Sequence, residues 1–343
     1  MGQNIIVIGD THFGIKNNSM TWLKHQSSGF EEIIQYVEKS FKEYDETIVV
    51  HMGDLFDSRS SINPLIYKEV LSLIRKLSDA LKPTSDTYAD HTGQVYLIGG
   101  NHDYYYPWES QHNFTSIQML PEIDNVNIIV DDYVKVNDLV FIPWFSFHNM
   151  DKLKEIMGKI NENDILFTHT DPFHFEPGVY DTIRGHLLVT GHIHQPTCNI
   201  KQNLLVTGAS FPTHFTDANS SRGFWTLTRY PKSDLEVIFH EIYSSIHFHT
   251  LSEESLENWE IFGINEDDYV NIVIRQSNVD THKATIKELN DKFNTSITYI
   301  TEKTDVNIAE QDVLTVDVVC QKLLPDKLKD LYNKMVEDIG QSK

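Results

Sequence analysis

The first half of the chain alternates short apolar runs, typical of buried strands, with longer amphipathic stretches, typical of helices. The predicted strands are residues 4–10, 47–54 and 94–103, and the predicted helices are residues 30–44 and 64–77. Asn63 suits the N-cap of the second helix, and Pro64 suits its first position. The order strand, helix, strand, helix, strand predicts an α/β fold with a mostly parallel core.

Further apolar runs follow with few helical stretches between them. They are residues 139–145, 164–170, 186–194, 203–210 and 223–230. Because these runs lie close together along the chain, we expect them to form a second sheet packed on the first. The predicted fold class is α/β, of the α+β sandwich kind, with two mixed sheets flanked by helices.

The pattern changes at about residue 245. Residues 252–268 are acidic and polar and are predicted to be a linker or a partly ordered connection. After them come predicted strands at 269–275, 296–303 and 313–319 and predicted helices at 281–293 and 325–339. We therefore expect a main domain at 1–244, a small β-α-β cap at 245–310 and a C-terminal segment with a helix at 311–343.

Composition narrows the class of protein. The chain has 343 residues, with 28 basic and 50 acidic side chains and a net charge of −22. This charge argues against a broad basic face for nucleic acid, although DNA stays possible as a substrate. The two cysteines, Cys198 and Cys320, form no disulfide framework, and no signal peptide or membrane span is evident. We expect a soluble, cytoplasmic protein with no membrane association.

Side chains that bind metals or move protons follow five of the predicted strands. They are Asp10 and His12, Asp54 and Asp57, Asn101 to Asp103, His169, and His192 and His194. Each motif alone is weak, because Gly-Asp and Gly-Asn-His-Asp are also common in turns. The two imidazoles of Gly-His-x-His are a stronger signal, since both project the same way from an extended segment. Strand ends of an α/β sheet meet at one edge, so the set together predicts a functional site.

The ligand types indicate the chemistry. Aspartate, histidine and asparagine without cysteine suit divalent ions such as manganese, iron or zinc. Seven ligands are too many for one ion but suit two ions that share a bridging carboxylate, an arrangement that promotes phosphoryl transfer. His102 is then left over, next to a ligand, where an imidazole could protonate a leaving alkoxide or stabilise charge.

In this order the motifs D-x-H, G-D-x-x-D, G-N-H-D, a single histidine and G-H-x-H resemble the calcineurin-like metallophosphoesterase superfamily. The resemblance implies the metallophosphoesterase fold and two ligand sets. One metal would be held by Asp10, His12, Asp54 and His194, and a second by Asn101, His169 and His192, with Asp54 as the bridge. It also implies that Asp57 orients a catalytic His102.

Softer features resemble the SbcD branch of recombination nucleases, the bacterial and phage relatives of Mre-eleven. They are "GDLFD", "LVFIPWF", "NLLVTGASFPTHF" with "SSRGFWTLT", and the small cap. The branch implies a DNA exonuclease and endonuclease that uses two divalent ions, manganese first, with magnesium, iron or zinc as alternatives. One departure is Asp57, where archaeal and eukaryotic members often carry histidine.

The same branch implies two partners besides DNA. One is a coiled-coil ABC ATPase of the SbcC or Rad-fifty type, which the helix at 325–339 would bind. The other is a second copy of the chain, contacted through helices at 64–77 and 107–120. Two alternatives stay open: a cyclic-nucleotide phosphodiesterase or phosphoprotein phosphatase of the same superfamily, and a non-catalytic scaffold.

Several side chains outside the motifs are weaker candidates. Arg59, Tyr104 and His214 are predicted to contact substrate, Arg59 through a phosphate and Tyr104 by stacking on a base. His247 and His249 are expected on the exposed face of an edge strand rather than at a metal.

Overall fold

The structure is a computed structural model that describes residues 2–105, 114–144, 149–172, 183, 185–230 and 234–300. The predicted strand at 313–319, the predicted helix at 325–339 and the whole segment 311–343 lie outside the described residues. Residues Met1–Thr298 form one compact unit. The proposed boundaries at 244 and 310 stay predictions.

The predicted strands of the described ranges form in the predicted order, with further short strands and one further helix between them. Of the helix expected at 107–120, the described part holds only the 3-10 turn Ser116–Met119. The strands are β1 (Gln3–Ile8), β2 (Glu46–His51), β3 (Thr92–Ile98), β4 (Val126–Ile129), β5 (Val134–Val136), β6 (Leu139–Ile142), β7 (Ile165–His169), β8 (Leu187–Gly191), β9 (Thr197–Asn199), β10 (Leu204–Val206), β11 (Gly223–Arg229), β12 (Glu236–Glu241), β13 (Phe248–Ser252), β14 (Tyr269–Arg275) and β15 (Asn294–Ile300). The helices are α1 (Met20–Glu43), α2 (Pro64–Ala80), α3 (Met150–Met157) and α4 (Lys283–Lys292).

The first sheet has the strand order β12-β11-β1-β2-β3-β4. Strands β1 to β4 pair in parallel, whereas β11 runs antiparallel to β1 and β12 antiparallel to β11. The prediction that residues 223–230 belong to the second sheet is therefore wrong. The local pattern of β11 identifies a buried strand, but its partner β1 lies more than 200 residues away along the chain.

The second sheet has the order β5-β6-β7-β8-β10-β9. Its four central strands are parallel, and short antiparallel strands close both edges. The two sheets pack face to face through apolar side chains, among them Val50 and Tyr96 from the first and Phe141 and Phe167 from the second. The rings of Tyr96 and Phe141 stack with centroids 4.1 Å apart. The predicted pair of mixed sheets flanked by helices is thus confirmed.

Helices cover the outer faces of both sheets. On the first sheet, Ile33 of α1 and Leu73 of α2 are fully buried with Val49 of β2. On the second sheet, Leu153 and Ile156 of α3 pack on its outer face. Each such apolar side chain contributes about 1.5–3 kcal/mol when it leaves water. No helix in the described ranges is long and apolar enough to cross a membrane.

Helix α1 begins ten residues before the predicted start at residue 30. Ser19 is its N-cap, with the side chain accepting the N–H of Trp22. The extra turns bury Trp22 and Gln26. The polar residues between 24 and 28 hide the apolar face, which is why the pattern alone places the start too late.

The third sheet, β13-β14-β15, packs on α4 around its own apolar cluster. The prediction of a linker at 252–268 is wrong for most of its length. Glu253–Phe262 forms a 3-10 helical run whose Leu256 and Trp259 are buried in that cluster. Two buried apolar residues are enough to anchor the segment. The acidic composition of the segment as a whole does not reveal them.

Candidate metal centre

Five strands of the two sheets end at the same edge of the sandwich, and each delivers a polar side chain there. The ends of β1, β2, β3, β7 and β8 carry Asp10 and His12, Asp54, Asn101, His169, and His192 and His194 respectively. The predicted ligands, which span almost 190 residues of sequence, therefore lie together. The ligands converge because β1, β2 and β3 are parallel in the first sheet and β7 and β8 are parallel in the second. The carboxyl ends of all five strands therefore lie at one edge of the sandwich, where α/β sheets bind ligands.

One group of potential ligands is formed by Asp10, His12 and His194, whose ligand atoms lie within 4.8 Å of one another. The Nε2 atoms of His12 and His194 are 3.1 Å apart. The Nε2 atom of His194 is 3.7 Å from Asp10 Oδ2. Nitrogen and oxygen lone pairs thus point at one small volume.

A second group is formed by Asp10, Asp54 and His169. His169 Nε2 lies 3.3 Å from Asp54 Oδ2, and His169 Nδ1 lies 3.7 Å from Asp10 Oδ1. Asn101 joins this group, because its Oδ1 atom is 2.8 Å from His169 Nε2 and 2.9 Å from His192 Nδ1. The carboxylate of Asp54 also lies 3.8 Å from His12 Nε2, so Asp54 stands between the two groups.

Backbone packing around the ligands leaves no room for side chains. Gly53 has φ +113, and a Cβ atom there would lie 2.6 Å from His169 Nδ1. A Cβ atom on Gly191 would lie 2.5 Å from Asp10 Oδ1. The glycines of the Gly-Asp and Gly-His motifs are therefore required by the close approach of ligand atoms to the backbone.

Burial changes the ionisation of the ligands. It raises the pKa of Asp10 to about 7, against the lowering effect of His169. It lowers the pKa of His12 to about 3, so His12 is a neutral imidazole at pH 7. Burial also acts to raise the pKa of Asp54 and to lower that of His169, but the attraction between these two outweighs it. The pKa of Asp54 falls well below its usual range, and that of His169 rises to about 9.

His102 lies at the side of the cluster. Its ring centroid is 5.0 Å from that of His12, and its Nδ1 atom is 2.7 Å from the backbone carbonyl oxygen of Asp57. A carbonyl only accepts, so Nδ1 carries a proton and Nε2 is the nitrogen available to a reactant. The Asp57 carboxylate lies close by, with Oδ1 3.7 Å from His12 Nδ1, and His12, Asp57 and His102 form a third group whose ligand atoms lie within 4.8 Å of one another. The hydrogen bond between Asp57 and His102 is made by the main chain.

Supporting residues outside the predicted ligand set hold the loops in place. The buried carboxylate of Asp103 accepts the N–H groups of Asp54 and Gly100, each at 2.9 Å. Burial raises the pKa of Asp103 to about 7, and the nearby Asp54 adds to the effect. Gln26 Nε2 donates to the carbonyl oxygens of Thr11, at 2.6 Å, and His12, at 3.2 Å. Gln26 was missed because it precedes the predicted start of its helix.

The three predicted substrate contacts have different outcomes. Arg59 is exposed and lies beside the cluster, with Nε 2.9 Å from the Asn101 carbonyl oxygen. His214 is exposed, and its Nδ1 atom lies 3.2 Å from Lys16 Nζ. Tyr104 is fully buried and donates its hydroxyl to the Val130 carbonyl oxygen at 2.6 Å. Its ring offers no exposed face, so the predicted stacking of Tyr104 on a base is wrong.

His247 and His249 lie away from the metal centre, at the start of the third sheet. His249 Nε2 is 3.0 Å from Asp268 Oδ2, and the same carboxylate accepts the N–H of His247 at 2.8 Å. Both side chains are partly buried, so the expectation of an exposed face is wrong, whereas the strand that carries His249, β13, is an edge strand as expected. The carboxylate partner comes from residue 268, which no local pattern connects to the two histidines.

The residues present fit divalent metal ions. Carboxylate oxygen, imidazole nitrogen and amide oxygen converge with no cysteine, a donor set for borderline to hard cations. The Nε2 atoms of His12 and His194 lie 3.1 Å apart and face carboxylate oxygens of Asp54 and Asp10 respectively. A cation would also balance the carboxylates of Asp10 and Asp54, which the protein buries side by side.

Comparison with known proteins agrees with this geometry. Residues 3–196, more than half of the chain, match the model of a family described as calcineurin-like phosphoesterase. The matched region contains each of the ligand residues from Asp10 to His194. A search of curated proteins found no match to the chain.

Proposed function

Because the chain belongs to the calcineurin-like phosphoesterase family, we propose that the phosphoester it hydrolyses is a phosphodiester of DNA. The family indicates metal-dependent hydrolysis of a phosphoester, and the candidate metal centre provides the ligands. The single observation that carries the proposal is the convergence of these ligands beside the imidazole of His102, whose Nδ1 atom is held by the Asp57 main-chain carbonyl, which leaves Nε2 to face a reactant.

The choice of DNA is supported by sequence features rather than by the family match. The "GDLFD" motif, the segment from 203 to 228 and the small third sheet all resemble the SbcD branch of recombination nucleases. We therefore propose a nuclease subunit that acts as an exonuclease on duplex ends and an endonuclease on single strands. Its partners would be an SbcC or Rad-fifty-type ATPase and a second copy of the chain.

Asp10, His12, Asp54, Asn101, His169, His192 and His194 would hold two divalent ions, manganese by preference. The bound ions would supply an acidified water as nucleophile and positive charge against the phosphate oxygens. The chain's own residues do the rest. The main-chain carbonyl of Asp57 accepts from Nδ1 and holds His102 in one orientation, so the proton for the departing sugar oxygen comes from Nε2 of the imidazolium form, which becomes the neutral Nδ1–H imidazole.

A second candidate is a phosphodiesterase for cyclic nucleotides or a phosphoprotein phosphatase of the same family. The net charge of −22 favours it, because a long polyanion is repelled by an acidic surface whereas a small substrate is repelled less. A non-catalytic scaffold is disfavoured, because the ligands and His102 are all present around one small volume.

One assay separates these candidates. Purified protein with manganese is tested on linear duplex DNA, circular single-stranded DNA, cyclic AMP and a phosphopeptide, each with a chelator control. We expect cleavage of DNA that the chelator abolishes. Activity confined to cyclic AMP or the phosphopeptide would exclude the nuclease, and inactivity on all four with metal bound would favour the scaffold.

A further inference from the structure

Directly after the Asp-x-His motif, the backbone forms a left-handed turn. Gly14 has φ 98, and Lys16, Asn17 and Asn18 follow with φ 55, 58 and 60. Residues with a Cβ atom take this conformation singly, at a cost in free energy, and seldom in succession. The N–H of Asn18 donates to the Gly14 carbonyl oxygen at 2.8 Å, which closes the turn. Strain of this kind persists where the surroundings enforce it, commonly at functional sites.

The turn places the ammonium group of Lys16 at the rim of the metal centre. Lys16 Nζ lies 3.2 Å from His214 Nδ1 and 5.9 Å from the centroid of the Trp22 ring. An ammonium group only donates, so His214 Nδ1 must accept, and the proton of the neutral imidazole is on Nε2. Two N–H donors of Lys16 and the Nε2–H of His214 are then left for a ligand.

His214 is held from the other side by a buried ion pair. Asp217 Oδ2 accepts the N–H groups of Thr213 at 2.7 Å and His214 at 3.1 Å. Asp217 Oδ1 accepts from Nη2 of Arg222, which is only 2 % exposed, at 2.6 Å. This loop lies beyond residues 3–196, the range of the family match.

Charge at the rim favours an anion. Within the described ranges, no carboxylate oxygen lies at ion-pair distance from Lys16, whereas Lys42, Lys76 and Lys82 each pair with an acidic side chain. In a chain of net charge −22, an ammonium group without a carboxylate partner beside the metal centre is a place for a phosphate.

We propose that Lys16 and His214 form a phosphate clamp that binds the phosphate next to the one cleaved at the metal centre. The inference rests on the proposed function and adds to it a preference for polynucleotide substrates. An oligonucleotide carries a phosphate for the clamp as well as one for cleavage. A diester with a single phosphate fills the metal centre alone. The clamp therefore selects polynucleotides over cyclic nucleotides and phosphopeptides.

The test compares two substrates with manganese-loaded protein: a single-stranded oligonucleotide and bis(4-nitrophenyl) phosphate, which has one phosphate. For Lys16→Gly we expect kcat/KM to fall about tenfold on the oligonucleotide, mainly through KM, and to fall less on the small diester. The slope of log KM against log salt for the oligonucleotide should decrease by about 0.7, the value for one lost phosphate contact. Lys24→Gln, which removes an exposed charge outside the clamp, should behave as wild type on both substrates.

Glycine is the informative replacement because it accepts the φ of 55 at position 16 without strain. The thermal midpoint of Lys16→Gly should therefore equal or exceed that of wild type, and Lys16→Arg should restore most of the activity on the oligonucleotide. Equal losses on both substrates, or an unchanged salt slope, would overturn the clamp while wild-type cleavage still supports the nuclease. If wild type cleaves only the small diester, the proposed function and the clamp fail together.

Discussion

His12, Asp54 and His192 reach the metal centre through unusual backbone conformations, with φ 46, 52 and 74. Each such residue costs about 1–3 kcal/mol, and histidine and aspartate tolerate the conformation better than most. The left-handed residue turns the chain sharply at the end of a strand, so its side chain points into the cluster. A residue at one of these positions must therefore both offer a ligand atom and adopt a left-handed backbone conformation.

Gly53→Ala tests this coupling at a single residue. A methyl group at φ +113 is strained and would also displace His169, whose Nδ1 atom lies 2.6 Å from the added carbon. We expect a loss of about 2–4 kcal/mol in the free energy of unfolding and weaker metal binding. Gly185→Ala is the control, with φ +101 and nothing within 4 Å of its Cβ, and should lose about 1–2 kcal/mol with normal metal content. Stability is measured by urea unfolding and metal content by elemental analysis. If Gly53→Ala and Gly185→Ala lose the same stability and the same amount of metal, the contact with His169 is not the cause.

His102→Ala should leave metal content near normal and reduce hydrolysis about 10²-fold or more, the size of a lost general acid. Asp57→Asn should reduce it less than tenfold, because the carbonyl that holds His102 belongs to the main chain. The measurements are kcat on a DNA substrate and the metal content of each variant. A loss in Asp57→Asn as large as that in His102→Ala, with metal retained, would assign the orienting role to the carboxylate instead.

At the scale of elements, α1 connects the metal centre with the third sheet. Gln26 supports the carbonyl oxygens of Thr11 and His12, and Trp22, one turn earlier, stacks on Tyr269 with the ring planes 14° apart. Trp22 also belongs to a buried apolar cluster with Phe248 of β13. A single helix thus positions a ligand loop and packs against β13 and β14.

Gln26→Met removes the two donors while keeping the volume of the side chain. We expect a loss of about 1–3 kcal/mol in the free energy of unfolding, because buried carbonyl oxygens lose their partner. Manganese affinity in calorimetric titration should fall about tenfold, as is typical when support behind a ligand is removed. Gln35→Met, at an exposed position of the same helix, should change neither quantity. Unchanged manganese affinity in Gln26→Met would show that the loop of Thr11 and His12 keeps its conformation without Gln26.

At the scale of the whole molecule, stability depends on buried charges far from the metal centre as well as at it. Asp268 is 1 % exposed and accepts hydrogen bonds from the N–H groups of His247 and Asn265 and from His249 Nε2. Burial acts to raise the pKa of Asp268, but these hydrogen bonds outweigh it and hold the pKa below its usual value. The ionised carboxylate therefore stabilises the folded state above a pH of about 4.

That stabilisation must disappear as the pH falls from about 4 towards the lower pKa of the folded state, since the proton binds the unfolded chain more tightly. Asp268→Asn should lower stability by about 2 kcal/mol at pH 7 and should flatten the fall in the thermal midpoint between pH 5 and 3. Asp267→Asn changes an exposed neighbour and should follow the wild-type curve. Parallel curves for wild type and Asp268→Asn would contradict the role of this carboxylate.

Much of the fold was predictable because its strands are short, apolar and bounded by turn residues. β1, β2, β7 and β8 lie within one to three residues of their predicted limits, since a buried strand needs only its own local pattern. The ligand residues were predictable for a related reason. They follow directly after strands, and strand ends of a parallel sheet share one edge.

The sequence by itself determined which segments become strands, which residues can bind metal and the order in which they occur. Only the tertiary structure decided that β11 joins the first sheet, that Tyr104 is buried, and that a carbonyl rather than a carboxylate holds His102. The tertiary structure also decided the contact between Lys16 and His214, which are 198 residues apart in the sequence. Local patterns report the burial of one segment, whereas these features depend on which distant segment lies opposite, and that is settled by packing the whole chain at once.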